Sequence, residues 1–169
     1  MINIDVFNGF CATHPYSTCT SGKELVDAFR MLHGDQLLQA YRAGREAAKR
    51  MLPCICLGKH IEGTPHTRAD KHYEIGHRLC FDVDVMPPYL SCAGIADRLK
   101  GYFAHIHDFM DYVVVEESAS GGCHIYLPIV NGIRSDIRAY YKVLHLIPDY
   151  ACSNTSRIIA LTNILHGGT

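Results

Sequence analysis

The pattern of apolar and polar positions predicts a chain that alternates between short strands and amphipathic helices. Residues 2–7 alternate as a half-buried strand does, and Ile95, Leu99 and Phe103 recur at the four-residue spacing of one helix face. The predicted strands cover about 2–7, 53–57, 78–85, 112–116, 123–128 and 157–161. The predicted helices cover about 22–32, 35–50, 92–104 and 133–146. This order indicates an α+β fold in which helices pack on one face of a mixed or antiparallel sheet.

Local signals mark where several of these elements begin and end. Ser21 is followed three positions later by Glu24, which predicts a capping box at the start of the first helix. The small and polar run over 118–122 predicts a tight turn, so the strands on either side of it should form a β-hairpin. The helix over 133–146 is predicted to bury Ile133, Ile137, Tyr140, Tyr141 and Leu144.

Length and composition are those of an ordinary globular protein. The chain has 169 residues, of which 48% are hydrophobic and 20% are charged, so it is long enough to bury a core without disulfides. We expect a single domain over 1–169, with a helical amino-terminal part over 1–50 and a core over 51–165. The formal net charge of −1 means that a nucleic-acid partner would have to be bound by a local basic patch.

The eight cysteines include no C-x-x-C pair, which argues against a zinc finger. Several of them lie in apolar, strand-like surroundings, and we expect reduced thiols in a cytoplasmic protein. The amino terminus lacks the layout of a signal peptide, and no apolar run reaches membrane-spanning length. A membrane is therefore not an expected partner.

Two carboxylates interrupt the most apolar predicted strand, at 78–85. Because side chains alternate along a strand, Asp82 and Asp84 should share one face, while Phe81, Val83 and Val85 share the other. Carboxylates on an otherwise apolar strand are costly unless they are neutralised, and Mg²⁺ or Mn²⁺ that also binds substrate phosphates is the natural partner. The alternative is a strand that runs out into solvent with both carboxylates hydrated, and two prolines just beyond it keep this alternative open.

A polar segment over 58–77 precedes this strand and carries many basic and histidine side chains. Such a segment is ordinarily a solvated loop, but its position makes it the best candidate for a phosphate or nucleic-acid patch. The candidate nucleic-acid-binding residues are Lys59, Arg68, Lys71 and Arg78.

Two further groups could meet the aspartates. His124 lies on the strand that directly follows the glycine-containing turn, whose amides can form an anion-binding nest, and it could equally be a satisfied strand histidine. Asp149 and Arg157 offer a third carboxylate and a guanidinium suited to phosphate. Asp149 could also be a turn residue after a proline, and Arg157 a surface ion-pair partner.

Taken in order, three motifs resemble those of the archaeo-eukaryotic primase superfamily. They are Phe81-Asp82-Val83-Asp84, the run from Ser120 to Pro128, and the run from Ile147 to Arg157. Within the superfamily, the chain looks closest to primase-polymerase domains of the kind labelled VirE amino-terminal domain. The segment 52–58 also resembles the family's first strand and turn, and the resemblance spans about residues 50–163.

The resemblance implies an RRM-like catalytic core that acts as a template-directed primase or polymerase. Such an enzyme would join NTPs or dNTPs in DNA replication, repair or mobile-element maintenance, using two Mg²⁺ or Mn²⁺ ions. The implied partners are a DNA template and primer, the nucleotide, and a helicase domain or protein. The implied catalytic and metal-binding residues are Asp82, Asp84 and Asp149. The implied substrate-binding residues are Ser120, Gly121, Gly122, His124 and Arg157.

Two other functions remain open from the sequence. His105-Ile106-His107 with Tyr140-Tyr141 fits a rolling-circle-type nickase, which binds a metal through its histidines and attacks DNA with tyrosine. A non-catalytic module that binds nucleotide or nucleic acid is the second alternative.

Overall fold

The computed structural model describes residues 3–130, 132–149 and 158–160, with only the backbone described for 149 and 158–160. These residues form two compact units. The first contains the described residues up to His77 together with 158–160, and the second contains those from Arg78 to Asp149. Among the described residues, no helix combines the length and apolar character that a membrane crossing requires. The prediction that the whole chain makes one domain stays a prediction.

The first unit contains a four-stranded antiparallel sheet and three helices. The sheet order is β10-β3-β1-β2, and a separate two-stranded hairpin joins β4 to β5. The strands are β1 (Ile4–Asn8), β2 (Ser17–Cys19), β3 (Pro53–Cys56), β4 (Lys59–His60), β5 (Tyr73–Glu74) and β10 (Ile158–Ala160). The helices are α1 (Gly22–Met31), α2 (Gly34–Arg42) and α3 (Glu46–Met51), and a 3₁₀ turn covers Asp70–His72.

The start of α1 confirms the predicted cap in part. Ser21 Oγ accepts a hydrogen bond from the backbone N–H of Glu24 at 3.2 Å, as a capping box requires. The carboxylate of Glu24, however, accepts from the N–H of Thr20 at 2.6 Å, one residue before the cap. The prediction of one helix over 35–50 is wrong, because Gly44 adopts a left-handed backbone (φ +99°) that ends α2.

The second unit has the order strand-helix-strand-strand-helix-strand, which is that of the ferredoxin-like motif. Its sheet has the order β7-β8-β6-β9, and every neighbouring pair is antiparallel. The strands are β6 (Arg78–Val83), β7 (Val114–Glu117), β8 (Cys123–Pro128) and β9 (Pro148–Asp149). The helices are α4 (Cys92–Tyr102) and α5 (Ile133–Val143), and a 3₁₀ turn covers Phe109–Tyr112. The predicted α+β class with antiparallel pairing is therefore confirmed for the described residues.

One face of this second sheet forms the apolar core. Alternate residues of the two central strands pack there against α4 and α5, because side chains along a strand point to opposite faces. The strand residues in the core are Leu79, Phe81 and Val83 of β6 and Cys123, Ile125 and Leu127 of β8. The helix residues predicted to be buried are buried as well, which confirms the apolar side of the last helix. The intervening residues of β6 and β8 lie on the opposite face.

The end of β6 differs from the prediction. The strand stops at Val83 because Val83 pairs with Cys123, the first residue of β8, so that Asp84 pairs with no strand among the described residues. Asp84 is exposed, and Val85 is 81% exposed, so the prediction that Val85 shares the face of Phe81 and Val83, which are buried, is wrong. The two-residue strand β9, which pairs with this end of β6, was not predicted.

Candidate functional site

The strand register of the second unit brings four polar residues into one row across the sheet. Glu116 of β7 lies opposite His124 of β8, and His124 lies opposite Asp82 of β6. Asp82 in turn lies opposite Asp149 of β9. Directly opposed residues in an antiparallel sheet share a face, so the side chains of Glu116, His124 and Asp82 lie on the face turned away from the apolar core. Three of the residues singled out by the sequence therefore occupy neighbouring register positions.

His124 lies between two carboxylates. Its Nδ1 is 3.4 Å from Glu116 Oε1, and its Nε2 is 3.5 Å from Asp82 Oδ1. The imidazole is buried, with 5% of the residue exposed, whereas the carboxylate of Asp82 is partly open to solvent. Each ring nitrogen of His124 therefore faces one of the two neighbouring carboxylates.

Glu116 is a functional candidate that the sequence analysis missed. It is only 9% exposed, and besides meeting His124 it accepts a hydrogen bond from the Tyr126 hydroxyl at 3.0 Å. Burial raises the pKa of Tyr126 well above its usual range, with the Cys80 and Glu116 charges adding to the effect, so the hydroxyl keeps its proton. The available signal was symmetry, because residues 116 and 124 stand equally far from Ser120 at the centre of the predicted turn.

The turn over 118–122 packs tightly against the end of β6. Ser118 Oγ accepts from the N–H of Gly122 at 3.0 Å, and the Ser118 N–H donates to the Gly122 carbonyl at 3.0 Å. A Cβ at Gly122 would lie 2.1 Å from the carbonyl oxygen of Val83 and 2.9 Å from that of Asp84. Gly121 has φ +86°, a conformation that favours glycine. The absence of side chains here lets the turn backbone reach the residues that carry the carboxylates.

Two carboxylates near the end of β6 are suitable ligands for a hard cation. Asp82 and Asp84 supply carboxylate oxygens, and Mg²⁺ in phosphate-transferring sites is commonly held by one or two carboxylates together with substrate phosphates. Within the side chains that the structure describes, no group of three or more histidine, cysteine, aspartate or glutamate residues could hold a metal by itself. A metal bound by Asp82 and Asp84 would therefore need substrate or water oxygens as further ligands.

The predicted nucleic-acid-binding residues lie apart along the chain and make contacts of their own. Lys59 Nζ is 3.6 Å from Glu74 Oε1, across the β4–β5 hairpin. Arg68 donates to the Phe10 carbonyl at 2.9 Å, and Arg78 donates to the Tyr112 carbonyl at 3.0 Å. Lys71 is exposed. Ser120 is exposed on the turn, and Arg157 lies outside the described residues.

A second polar cluster in the first unit surrounds Asp5, which is 3% exposed. Its carboxylate accepts from Thr18 Oγ1 at 2.5 Å and from the Tyr73 hydroxyl at 2.6 Å, and it lies 2.7 Å from His66 Nε2. Burial raises the pKa of Tyr73, and the hydrogen bond to Asp5 raises it further. The ring of His66 stacks on His60 with centroids 4.0 Å apart. These contacts join β1, β2 and β5, so the cluster has a structural role.

The residues expected for a nickase are poorly placed for that reaction. Tyr140 and Tyr141 are buried in the core on α5, where a nucleophile would not reach DNA. His105 and His107 are exposed in the segment after α4, and His107 Nδ1 lies 2.7 Å from its neighbour Asp108. The structure thus weakens this alternative.

Comparison with known proteins adds one structural similarity. No protein-family model and no curated protein sequence matches the chain. Among solved structures, the chain is similar to the polymerase domain from Mycobacterium tuberculosis Ligase D in complex with DNA, with a TM-score of 0.42 and 14% sequence identity. The match covers 73% of this chain and 51% of the other, so this chain spans about half the length of that structure.

Proposed function

We propose that the chain is a template-directed nucleotidyltransferase of the primase-polymerase type. It would join NTPs or dNTPs on a DNA template in replication, repair or mobile-element maintenance. The observation that carries the proposal is the register of Asp82, which lies opposite His124 on one side and Asp149 on the other. Each of these residues belongs to a different motif of the resemblance, and the motifs are separated by many residues along the chain.

In this proposal, two Mg²⁺ or Mn²⁺ ions are held by Asp82, Asp84 and Asp149 together with phosphate oxygens. The ions would neutralise charge on the reacting phosphate and lower the pKa of the attacking hydroxyl. The chain's own contribution is positioning, which is the main requirement of phosphoryl transfer. The β6 backbone fixes Asp82, and the packing of Gly122 against the end of β6 fixes the backbone that carries Asp84.

The triphosphate would be bound by the turn and His124. A histidine nitrogen can donate to a phosphate oxygen, and backbone amides of a glycine-containing turn can do the same. Ser120, Gly121 and Gly122 would contribute this turn, and Arg157 would be a second phosphate contact. Buried surroundings strengthen such interactions, because they are shielded from water.

The core around this site would be RRM-like, since it has a four-stranded antiparallel sheet with two helices on one face. The DNA template and primer would be bound by basic side chains, with Lys59, Arg68, Lys71 and Arg78 as the candidates. A helicase domain or protein is the expected partner where priming requires an opened duplex.

The test is primer extension with labelled nucleotides, a primed or unprimed DNA template, and Mg²⁺ or Mn²⁺. We expect extension by the unaltered chain and a loss to background in Asp82→Asn and Asp84→Asn, because each removes a charge that the reaction needs. Asp97→Asn is the matched control, since Asp97 is exposed on α4, and it should retain full activity.

Other outcomes would lead to other conclusions. Metal-dependent nucleotide binding without product would indicate a non-catalytic module. Covalent attachment to DNA that disappears in Tyr140→Phe with Tyr141→Phe would indicate a nickase. Extension that survives Asp82→Asn would overturn the proposed site.

A further inference from the structure

We propose that Glu116 is a positioning residue of the nucleotide site, which holds the ring of His124 so that Nε2 lies on the Asp82 side. This inference deepens the proposed function and rests on it, because it takes His124 as the triphosphate ligand. Glu116 belongs neither to the predicted substrate-binding set nor to the proposed metal ligands. It acts through His124 and does not itself touch the nucleotide.

The geometry around the imidazole supports this role. Nδ1 of His124 is 3.4 Å from Glu116 Oε1, and the opposite nitrogen is 3.5 Å from Asp82 Oδ1. An ionised carboxylate can only accept hydrogen bonds, so the contact with Glu116 calls for a hydrogen on Nδ1, and donation from Nε2 to Asp82 or to a phosphate oxygen calls for a second hydrogen on Nε2. Since the imidazole is a rigid plane, a partner at Nδ1 also fixes where Nε2 lies.

Glu116 is itself held in place. The Tyr126 hydroxyl donates to Glu116 Oε1 at 3.0 Å, the same oxygen that faces His124. Tyr126 is two residues beyond His124 on β8, so both side chains meet Glu116 from one strand face. The oxygen is therefore positioned before any ligand binds. Carboxylates orient the ligating histidines of metal sites in the same way.

A competing explanation is that Glu116 serves only as the acceptor for the buried Tyr126 hydroxyl. A buried hydroxyl without an acceptor is costly, so this requirement alone could account for a glutamate here. The two explanations differ in what happens to His124. A positioning residue determines the orientation of the ring, the hydrogen on Nδ1 and the affinity for nucleotide, whereas an acceptor for Tyr126 affects stability alone.

The first test measures which ring nitrogens of His124 carry hydrogen, and it needs no nucleotide. Long-range proton–nitrogen NMR of the full chain with ¹⁵N-labelled histidine reports which ring nitrogen is protonated, and the His124→Gln spectrum assigns the signal. We expect a protonated Nδ1 in the unaltered chain and in Glu116→Gln, whose amide oxygen still accepts. Glu116→Ala should lose the Nδ1 proton. An unprotonated Nδ1 in the unaltered chain, or a signal indifferent to Glu116→Ala, would overturn the inference.

The second test is kinetic. Glu116→Ala should raise the KM for nucleotide by about 10- to 100-fold with a smaller change in kcat, while Glu116→Gln should stay near the unaltered value. In a His124→Ala background, Glu116→Ala should add no further effect, because residues that act through one another are not additive. Full additivity would overturn the inference. Glu117→Ala, in the next and exposed position, is the matched control.

The two tests keep the inference separate from the proposed function. If Glu116→Ala does not fold, the double variant with Tyr126→Phe removes the orphaned hydroxyl and replaces it in both tests. If the unaltered chain neither binds nor joins nucleotides, the proposed function fails, while the NMR result still reports whether Glu116 orients His124.

Discussion

At the scale of single residues, Gly122 occupies a position without room for a side chain. The two atoms that a Cβ would meet, at 2.1 and 2.9 Å, are backbone carbonyl oxygens, which cannot rotate away. Gly122→Ala should therefore lower the free energy of unfolding by about 1–3 kcal/mol, as other overpacked sites do. Urea unfolding followed by circular dichroism measures this loss.

The control for this substitution is Gly101→Ala. Gly101 lies in α4, and a Cβ there would meet nothing within 4 Å. Since alanine is the better helix former, this change should raise stability by up to about 1 kcal/mol. Equal effects of the two substitutions would show that the turn does not pack against β6 as described.

Sequence alternation predicted part of the site and failed at an identifiable point. It correctly separated Asp82 from the core residues Phe81 and Val83. It failed at Val85, because alternation holds only as far as the strand continues, and β6 ends where β8 begins. Glu116 escaped notice because its importance depends on pairing with His124, and strand pairing is a property of two segments together.

At the scale of elements, the hydrogen-bond network of Asp5 joins strands that are far apart in the chain. Tyr73 of β5 and Thr18 of β2 both donate to this one buried carboxylate of β1. We expect Tyr73→Phe to lower the free energy of unfolding by about 1–3 kcal/mol, because a buried hydrogen bond to a charged group is lost. Tyr16→Phe is the control, since Tyr16 is 48% exposed, and thermal unfolding should show little change.

Long periodic elements were predictable, and very short ones were not. The last helix and the hairpin of β7 and β8 follow the predicted pattern closely, because apolar periodicity and a turn sequence mark them together. The strands β4, β5 and β9 have two residues each, too few for any alternation to be visible. The break between α2 and α3 depends on a backbone angle at Gly44, which periodicity does not report.

At the scale of the whole molecule, buried thiols make stability sensitive to alkaline pH. Burial raises the pKa of Cys54 to about 12 and that of Cys56 to about 11, from an ordinary value of 9.0. Between the ordinary and the raised pKa of each thiol, the unfolded chain loses protons that the folded chain retains. The free energy of unfolding therefore falls as pH rises. The stabilisation is complete below about pH 9 and is lost progressively as pH approaches about 11 to 12.

Urea unfolding at a series of pH values measures this slope. Cys56→Ala should flatten it between about pH 9 and 11, although the substitution also lowers stability at neutral pH by leaving a cavity. Cys11→Ala is the control, because Cys11 is exposed and should leave the slope unchanged. A slope that is the same in all three proteins would contradict the assignment.

The sequence predicted the α+β class but not the division into two units. The first unit includes the pairing of β10 with β3, whose residues are about a hundred positions apart, and nothing local marks such a pairing. The proposal that the chain binds metal ions, nucleotide and DNA is argued from the order of the motifs and the strand register. The experiments on Asp82, Asp84 and Glu116 test it.

The two faces of β8 tie the chemistry of the chain to its stability. Cys123, Ile125 and Leu127 face the apolar core. His124 and Tyr126 lie on the opposite face, where both contact Glu116. Insertion or deletion of one residue in this strand would move every following side chain to the opposite face. Histidine and tyrosine would then point into the apolar core, and isoleucine would point toward Asp82. An insertion or deletion of one residue in β8 should therefore abolish both folding and activity, whereas the same change in an exposed loop should not.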